Sequence, residues 1–239
     1  VIPDNTLLGE LLDRYEDEVS PLHKSHQVEK YRLKTLKRHL GDISITRLSP
    51  ALLCKYRDTR LGTVSPASLK RELVILSSVI NTAIKEWGIN LQSNPVSMVS
   101  LPKIARGRDR RLEVGEEAKL LACSGELKRI IIVALETGMR RGEILNIKRS
   151  HIDLAHQTLL IPITKTDTPR TIPLSSRAIE ALREQLRGSD NVISIEETTL
   201  FSYTARGLSG AFLRLCRRHN LDNLHFHDLR HEATSRFFE

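Results

Sequence analysis

The stretch NPVSMVSLPKIARGRDRRL, residues 94–112, does most to limit how this chain can fold. Its two prolines remove backbone donors and stop helices, and its glycine loosens the chain. Five basic side chains (Lys103, Arg106, Arg108, Arg110 and Arg111) are too many to bury together. Such a segment reads as an exposed linker. The chain is therefore expected to divide into domains at 1–100 and 112–239, with 101–111 between them. At 239 residues it can supply two ordinary cores.

The two sides differ in pattern. Before the linker, Leu7, Leu8, Leu11, Leu12, Tyr15 and Val19 recur at helical spacing. Residues 25–40 predict a second helix, with Ser25 as N-cap and Gly41 past the end. Ser49-Pro50 and Ser65-Pro66 each predict a helix start, because proline at the first helical position gives up a donor that would be orphaned anyway. In the last of these, Leu69, Leu73, Leu76, Ile80, Ile84 and Trp87 line one face before Gly88. About four helices are expected.

After the linker the pattern alternates. Helices are predicted over 113–122, 126–136, RRGEILNIK, 176–187 and 208–219, and FHDLRHEATSRFFE begins another. QTLLIPI and RTIPL predict a β-hairpin around TKTDTP. The expected fold class is mainly α with a small β-sheet: a helical N-terminal domain followed by a mixed α/β domain.

Lys and Arg outnumber Asp and Glu by 37 to 29, a net charge of +8. Residues 1–111 carry +7 of it. Such an excess favours an anionic partner, nucleic acid being the commonest large one. One account is a phosphate-tracking clamp built from Lys30, Lys34, Lys37 and Arg38 with Lys103, Arg106, Arg108, Arg110 and Arg111. The other is a set of solvated helix faces. Cys54, Cys123 and Cys216 lie far apart with no CxxC, which reads as reduced thiols. No apolar run approaches the ~18 residues of a membrane span, and no signal peptide is seen, so a cytoplasmic, DNA-associated location is expected.

Three stretches bear chemistry. In ETGMRRGEIL, Arg140 sits in a sharp turn after the apolar helix IIIVALE, and a guanidinium on a rigid turn can bind two phosphate oxygens at once. Glu143 lies one turn later, where it can hold that arginine; a surface arginine capping a helix fits equally. In PITKTDTPRTIP, Lys165 is close to the hairpin turn, as a proton donor or as an ordinary solvated lysine. In HFHDLRH, a helix starting near Phe226 puts His227 on one face with Arg230 and His231. Imidazole trades protons near neutral pH, and the arginine supplies fixed charge for an oxyanion. Competing readings are a metal site from His225, His227 and His231, and a structural histidine.

Arg in a TGxR turn, Lys on a hairpin and HxxR on a late helix, in that order, resemble the tyrosine recombinase (phage integrase) family over the whole chain. GRDRRL and LHFHDLRHEA are most similar to its shufflon-invertase-like members. The resemblance implies a core-binding domain in the first half and a catalytic domain from about 112 onward. It implies a tyrosine attacking a DNA phosphate to leave a 3′-phosphotyrosine and a free 5′-hydroxyl. Arg140 and Arg230 would grip the non-bridging oxygens, Lys165 would protonate the departing 5′-oxygen and His227 would assist, with Glu143 and His231 in support. No cofactor or metal is implied. The expected partners are double-stranded DNA carrying specific sites and further copies of the chain, a tetramer on two sites. The family's Gly-His (or Trp) segment and nucleophilic tyrosine do not follow HxxR here, since Tyr15, Tyr31, Tyr56 and Tyr203 all precede it. The nucleophile is therefore expected beyond Glu239. The alternatives are a DNA-binding module without cleavage and a metal-dependent nuclease.

Overall fold

A computed structural model describes residues 6–105, 107–162, 168–187 and 198–239. The chain divides into two compact units, Val1–Arg106 and Gly107–Glu239.

The N-terminal unit contains α1 (Leu8–Glu18), α2 (His26–Leu40), α3 (Pro50–Leu61) and α4 (Pro66–Lys85). Both Ser-Pro signals act as read: Ser49 Oγ accepts from Leu52 N and Ser65 Oγ from Ser68 N, each at 3.3 Å. Ser25 holds the N-cap position of α2, but its side chain makes no cap bond. Its hydroxyl donates instead to Glu29, which also accepts from Ser20 Oγ at 2.9 Å. The helical stripes meet in a leucine core that includes Leu8, Leu12, Leu33, Leu36, Leu69, Leu73 and Leu76. Each such burial stabilises by about 2 kcal/mol. The α4 stripe stops short of the expected Trp87, which lies beyond the helix end with the Arg14 guanidinium 4.5 Å above its ring.

The C-terminal unit runs α5 (Glu116–Leu121), α6 (Gly125–Thr137), α7 (Arg141–Leu145), β1 (Ile152–Asp153), β2 (Thr158–Ile161), β3 (Arg170–Pro173), α8 (Ser176–Arg187), α9 (Ala205–Arg218) and α10 (Asp228–Arg236). The expected hairpin is β2 with β3, antiparallel with Ile161 opposite Arg170, and β1 adds a third strand against β2. The apolar helix α6 buries Ile130, Ile131, Val133, Ala134 and Leu135, and packs against both α8 and α10. Its stop is Gly138, at φ +60°, a conformation that costs an L side chain roughly 1–2 kcal/mol. There a Cβ would meet Ala233, Thr234 and Phe237 of the α10 region at 3.6–3.8 Å, so the turn lies directly against that helix.

The linker is largely exposed, as expected, but its second half does not run free. Residues 107–111 belong to the C-terminal unit, and their arginines are turned onto its carboxylates. Arg108 forms a fork on Asp228 (Nη2–Oδ2 2.8 Å, Nε–Oδ1 3.3 Å) and reaches Asn223 Oδ1 at 2.8 Å. Arg110 pairs with Glu116, and Arg111 pairs with Glu232 at 3.1 Å and with Glu239. The physical reason is that Asp228 and Glu232 are buried, only 1% and 4% exposed, and a buried carboxylate requires a cation and donors. Arg106 lies outside the described residues.

Candidate active site

The TGMR turn is built locally. Thr137 Oγ1 donates to Val133 O at 2.5 Å and accepts from Met139 N at 3.3 Å, closing α6 before Gly138. Arg140 then precedes α7. Its backbone N–H donates to Glu143 Oε2 at 2.8 Å, and its Nη1 donates to Oε1 at 3.0 Å. One carboxylate thus fixes both the main chain and the side chain of Arg140. The same carboxylate accepts from Arg170 Nη2 of β3 at 2.8 Å. Burial alone would raise the pKa of Glu143, but the donors from Arg140 and Arg170 hold it below the ordinary carboxylate value.

The HxxR stretch arrives from the other end of the unit. Asp228 Oδ2 accepts from His225 N at 2.8 Å, so α10 begins at Asp228, two residues later than expected. His227 keeps a helical backbone (φ −68°, ψ −24°), and Arg230 N donates to its carbonyl at 3.1 Å. The rings of His227 and His231 meet edge to face with centroids 5.0 Å apart. Leu224, Phe226 and Leu229 are buried, while His225 and His227 between them stay at the surface of the unit.

Arg230 Nη1 donates to the carbonyl of Gly138, in the turn that presents Arg140. Its pKa is lowered, first by burial and then by the positive charges of Arg140 and Arg170, against which Glu143 works. Two like charges held together in this way favour an anion between them. His227 is also lowered from the usual imidazole value, through partial desolvation and then the charges of His231 and Arg230, with Arg140 adding to them. Arg140 and His227 both line a cleft of about 590 Å³ shared with Ser209 and Phe212 of α9. Arg140, Arg230 and His227 are therefore brought together. Lys165 lies outside the described residues.

Among the described residues, no three His, Cys, Asp or Glu side chains stand close enough to hold a metal ion. His225 points to Asp228 at 3.7 Å, away from the His227–His231 pair. Tyr203, the tyrosine of this unit, is partly buried against the core.

In the N-terminal unit, Lys34, Lys37 and Arg38 of α2 line a groove of about 750 Å³ with Tyr31. Lys37 pairs with Asp13, and Lys30 pairs with Glu16 at 3.0 Å. Lys103 is exposed.

Reading motifs alone missed Arg170, Asp228 and Glu232. Arg170 was legible only as a strand residue of RTIPL, because its partner is 27 positions away.

A model described as the phage integrase family matches residues 111–239, and one for the phage integrase N-terminal domain matches residues 4–103. The chain belongs to the phage integrase family. It is similar to a shufflon-specific DNA recombinase of Escherichia coli, 38% identical over 97% of this chain and 62% of that protein. It is also similar to a putative integrase/recombinase of Haemophilus influenzae, 34% identical over 97% of this chain and 66% of that protein. The chain thus spans less than two thirds of the length of either relative.

Solved integrases share the fold. The Tn1549 transposon integrase in complex with circular intermediate DNA matches with a TM-score of 0.79 at 17% identity, over 98% of this chain and 87% of that one. A λ integrase tetramer bound to a Holliday junction matches at 0.80 and 22% identity, over 99% and 74%. The mainly helical construction with a small three-stranded sheet is thus a fold that the chain shares with solved integrases. No helix among the described residues is long and apolar enough to cross a membrane.

Proposed function

We propose that the chain is the DNA-gripping and catalytic part of a site-specific recombinase that cuts and rejoins strands through a 3′-phosphotyrosine, with the tyrosine beyond Glu239. The observation that carries this reading is the meeting of Arg140 and Arg230, ninety positions apart, at one turn beside His227. In the first step the tyrosine oxygen bonds to phosphorus and the bond to the 5′-oxygen breaks. The two guanidiniums stabilise the extra negative charge of the five-coordinate transition state. Lys165 gives its proton to the departing 5′-oxygen. His227, with its lowered pKa, is largely neutral near pH 7 and able to accept a proton at the nucleophile. A 5′-hydroxyl from another strand reverses the step, so no energy source is consumed.

Similarity to a shufflon-specific DNA recombinase supports exchange between specific DNA sites. The DNA-bound relatives, one of them a tetramer, support duplex DNA and further copies of the chain as partners. The phosphate-tracking side chains are those of α2 with Lys103, while Arg108, Arg110 and Arg111 are largely committed to carboxylates.

The test is adduct formation by the full-length protein on a nicked site. Arg140→Ala and Arg230→Ala should each abolish the adduct while DNA affinity falls modestly, because many other phosphate contacts remain. Adduct formation should also decline as the pH drops below the ordinary imidazole range, where His227 gains a proton. Binding with no adduct from the unaltered protein would instead favour a DNA-binding module without cleavage.

A further inference from the structure

Glu143 is usefully considered as a charge rather than as a prop. Its side chain is 8% exposed and flanked by two guanidiniums, Arg140 on Oε1 at 3.0 Å and Arg170 on Oε2 at 2.8 Å. Together the three groups carry +1. Were Arg170 absent, Glu143 would cancel Arg140 outright, and Arg230 would face a phosphate with a neutral pair beside it. Arg170 stands opposite Ile161 in the antiparallel ladder, so its backbone is placed by β2. Its side chain is 35% exposed and ends on Glu143.

We infer that Arg170 is a positioning residue of the phosphate site: by engaging Glu143 Oε2 it fixes the carboxylate that orients Arg140 and keeps the net charge facing the phosphate positive. This rests on the recombinase reading. It adds a group, outside the TGxR and HxxR motifs, that acts through Glu143 and makes no demand on DNA itself. A supporting group of this kind, which orients another and sets its charge, is worth about tenfold to a hundredfold in rate.

The experiment uses the full-length protein and two nicked sites, one with an ordinary scissile phosphate and one with a neutral methylphosphonate there. On phosphate, Arg170→Ala should slow adduct formation by about tenfold to a hundredfold. DNA affinity should stay unchanged. Arg170→Lys should recover most of the rate, since it keeps the charge. Two further results are specific to charge balance. The Arg170→Ala defect should shrink on methylphosphonate, which presents less negative charge to neutralise. Adding Glu143→Gln to Arg170→Ala should speed adduct formation relative to Arg170→Ala alone, because the charge of Arg140 is then no longer cancelled.

An unaltered rate for Arg170→Ala on phosphate overturns the inference. So does an equal loss on both substrates with no relief from Glu143→Gln, which marks a merely structural arginine. If Arg170→Ala does not fold, Arg170→Gln is compared on the two substrates, and equal losses on both again overturn it. Two controls separate the levels: no adduct from the unaltered protein removes the recombinase reading, whereas an inactive Arg140→Ala beside an unaffected Arg170→Ala removes only the role given to Arg170.

Discussion

Residues 107–111 and helix α2 look alike on paper, each a short run crowded with basic side chains, yet they differ in what they face. The three described arginines of 107–111 are paired with Asp228, Glu116 and Glu232, all buried carboxylates of the same unit. On α2, Lys30 and Lys37 pair with exposed or half-buried acids across the surface, and Lys34 and Arg38 line an open groove. A guanidinium that satisfies a buried carboxylate is part of the fold. An amine in a solvated surface pair, worth little in stability, can be given up to a phosphate. Local charge density is therefore a poor guide to nucleic-acid contact until the partners are known.

The largest effect expected from this contrast is on stability. Asp228→Ala removes the acceptor of both the Arg108 fork and the His225 N–H, and should cost about 2 kcal/mol, read as a lower urea midpoint. An unchanged midpoint would mean the clasp is incidental and the two regions are alike after all.

Next comes acidification. Burial alone would raise the pKa values of Asp228 and Glu232, but the Arg108 and Arg111 pairs respectively hold both below their usual values. Depressed folded-state values mean this stability is fully present above the unfolded carboxylate range of about 4 and is lost as pH falls through the folded values. Arg108→Gln should flatten that loss in a stability–pH profile, whereas Lys34→Gln should leave the profile as it is.

The smallest effects sharpen the comparison on the binding side. Lys34→Gln or Arg38→Gln should each reduce the salt-dependence slope of DNA binding by about one. Lys37→Gln should reduce it less, because its charge is already shared with Asp13. Arg111→Gln should leave the slope alone. A flattened slope for Arg111→Gln would return 107–111 to the phosphate-tracking surface.

How much of this was legible beforehand depends on the distance over which each signal acts. Ser49, Ser65 and their prolines mark helix starts because a cap bonds only three residues away. Ser25 has the same local credentials and is diverted, since buried Glu29 lies one helical turn ahead and competes for its hydroxyl. The start of α10 was misplaced by two residues because Asp228, apparently just another charge in HFHDLRH, closes the turn back to His225. Of the site itself, Arg140, His227 and Arg230 could be picked out by motif. Arg170 could not, because nothing in RTIPL announces a strand arginine that ends on a carboxylate 27 positions earlier.

The order of apolar residues, caps and breakers by itself determined an all-helical half and a mixed half, while the two arginines and the histidine suited to a phosphate were marked by their motifs and the family those motifs resemble. Period and capping are short-range, so a linear chain records them. Only the tertiary structure decided which cations are committed and which remain available, since the carboxylate that holds Arg108 is 120 positions away. Burial creates the need for that partner, and no residue is buried until the chain has folded.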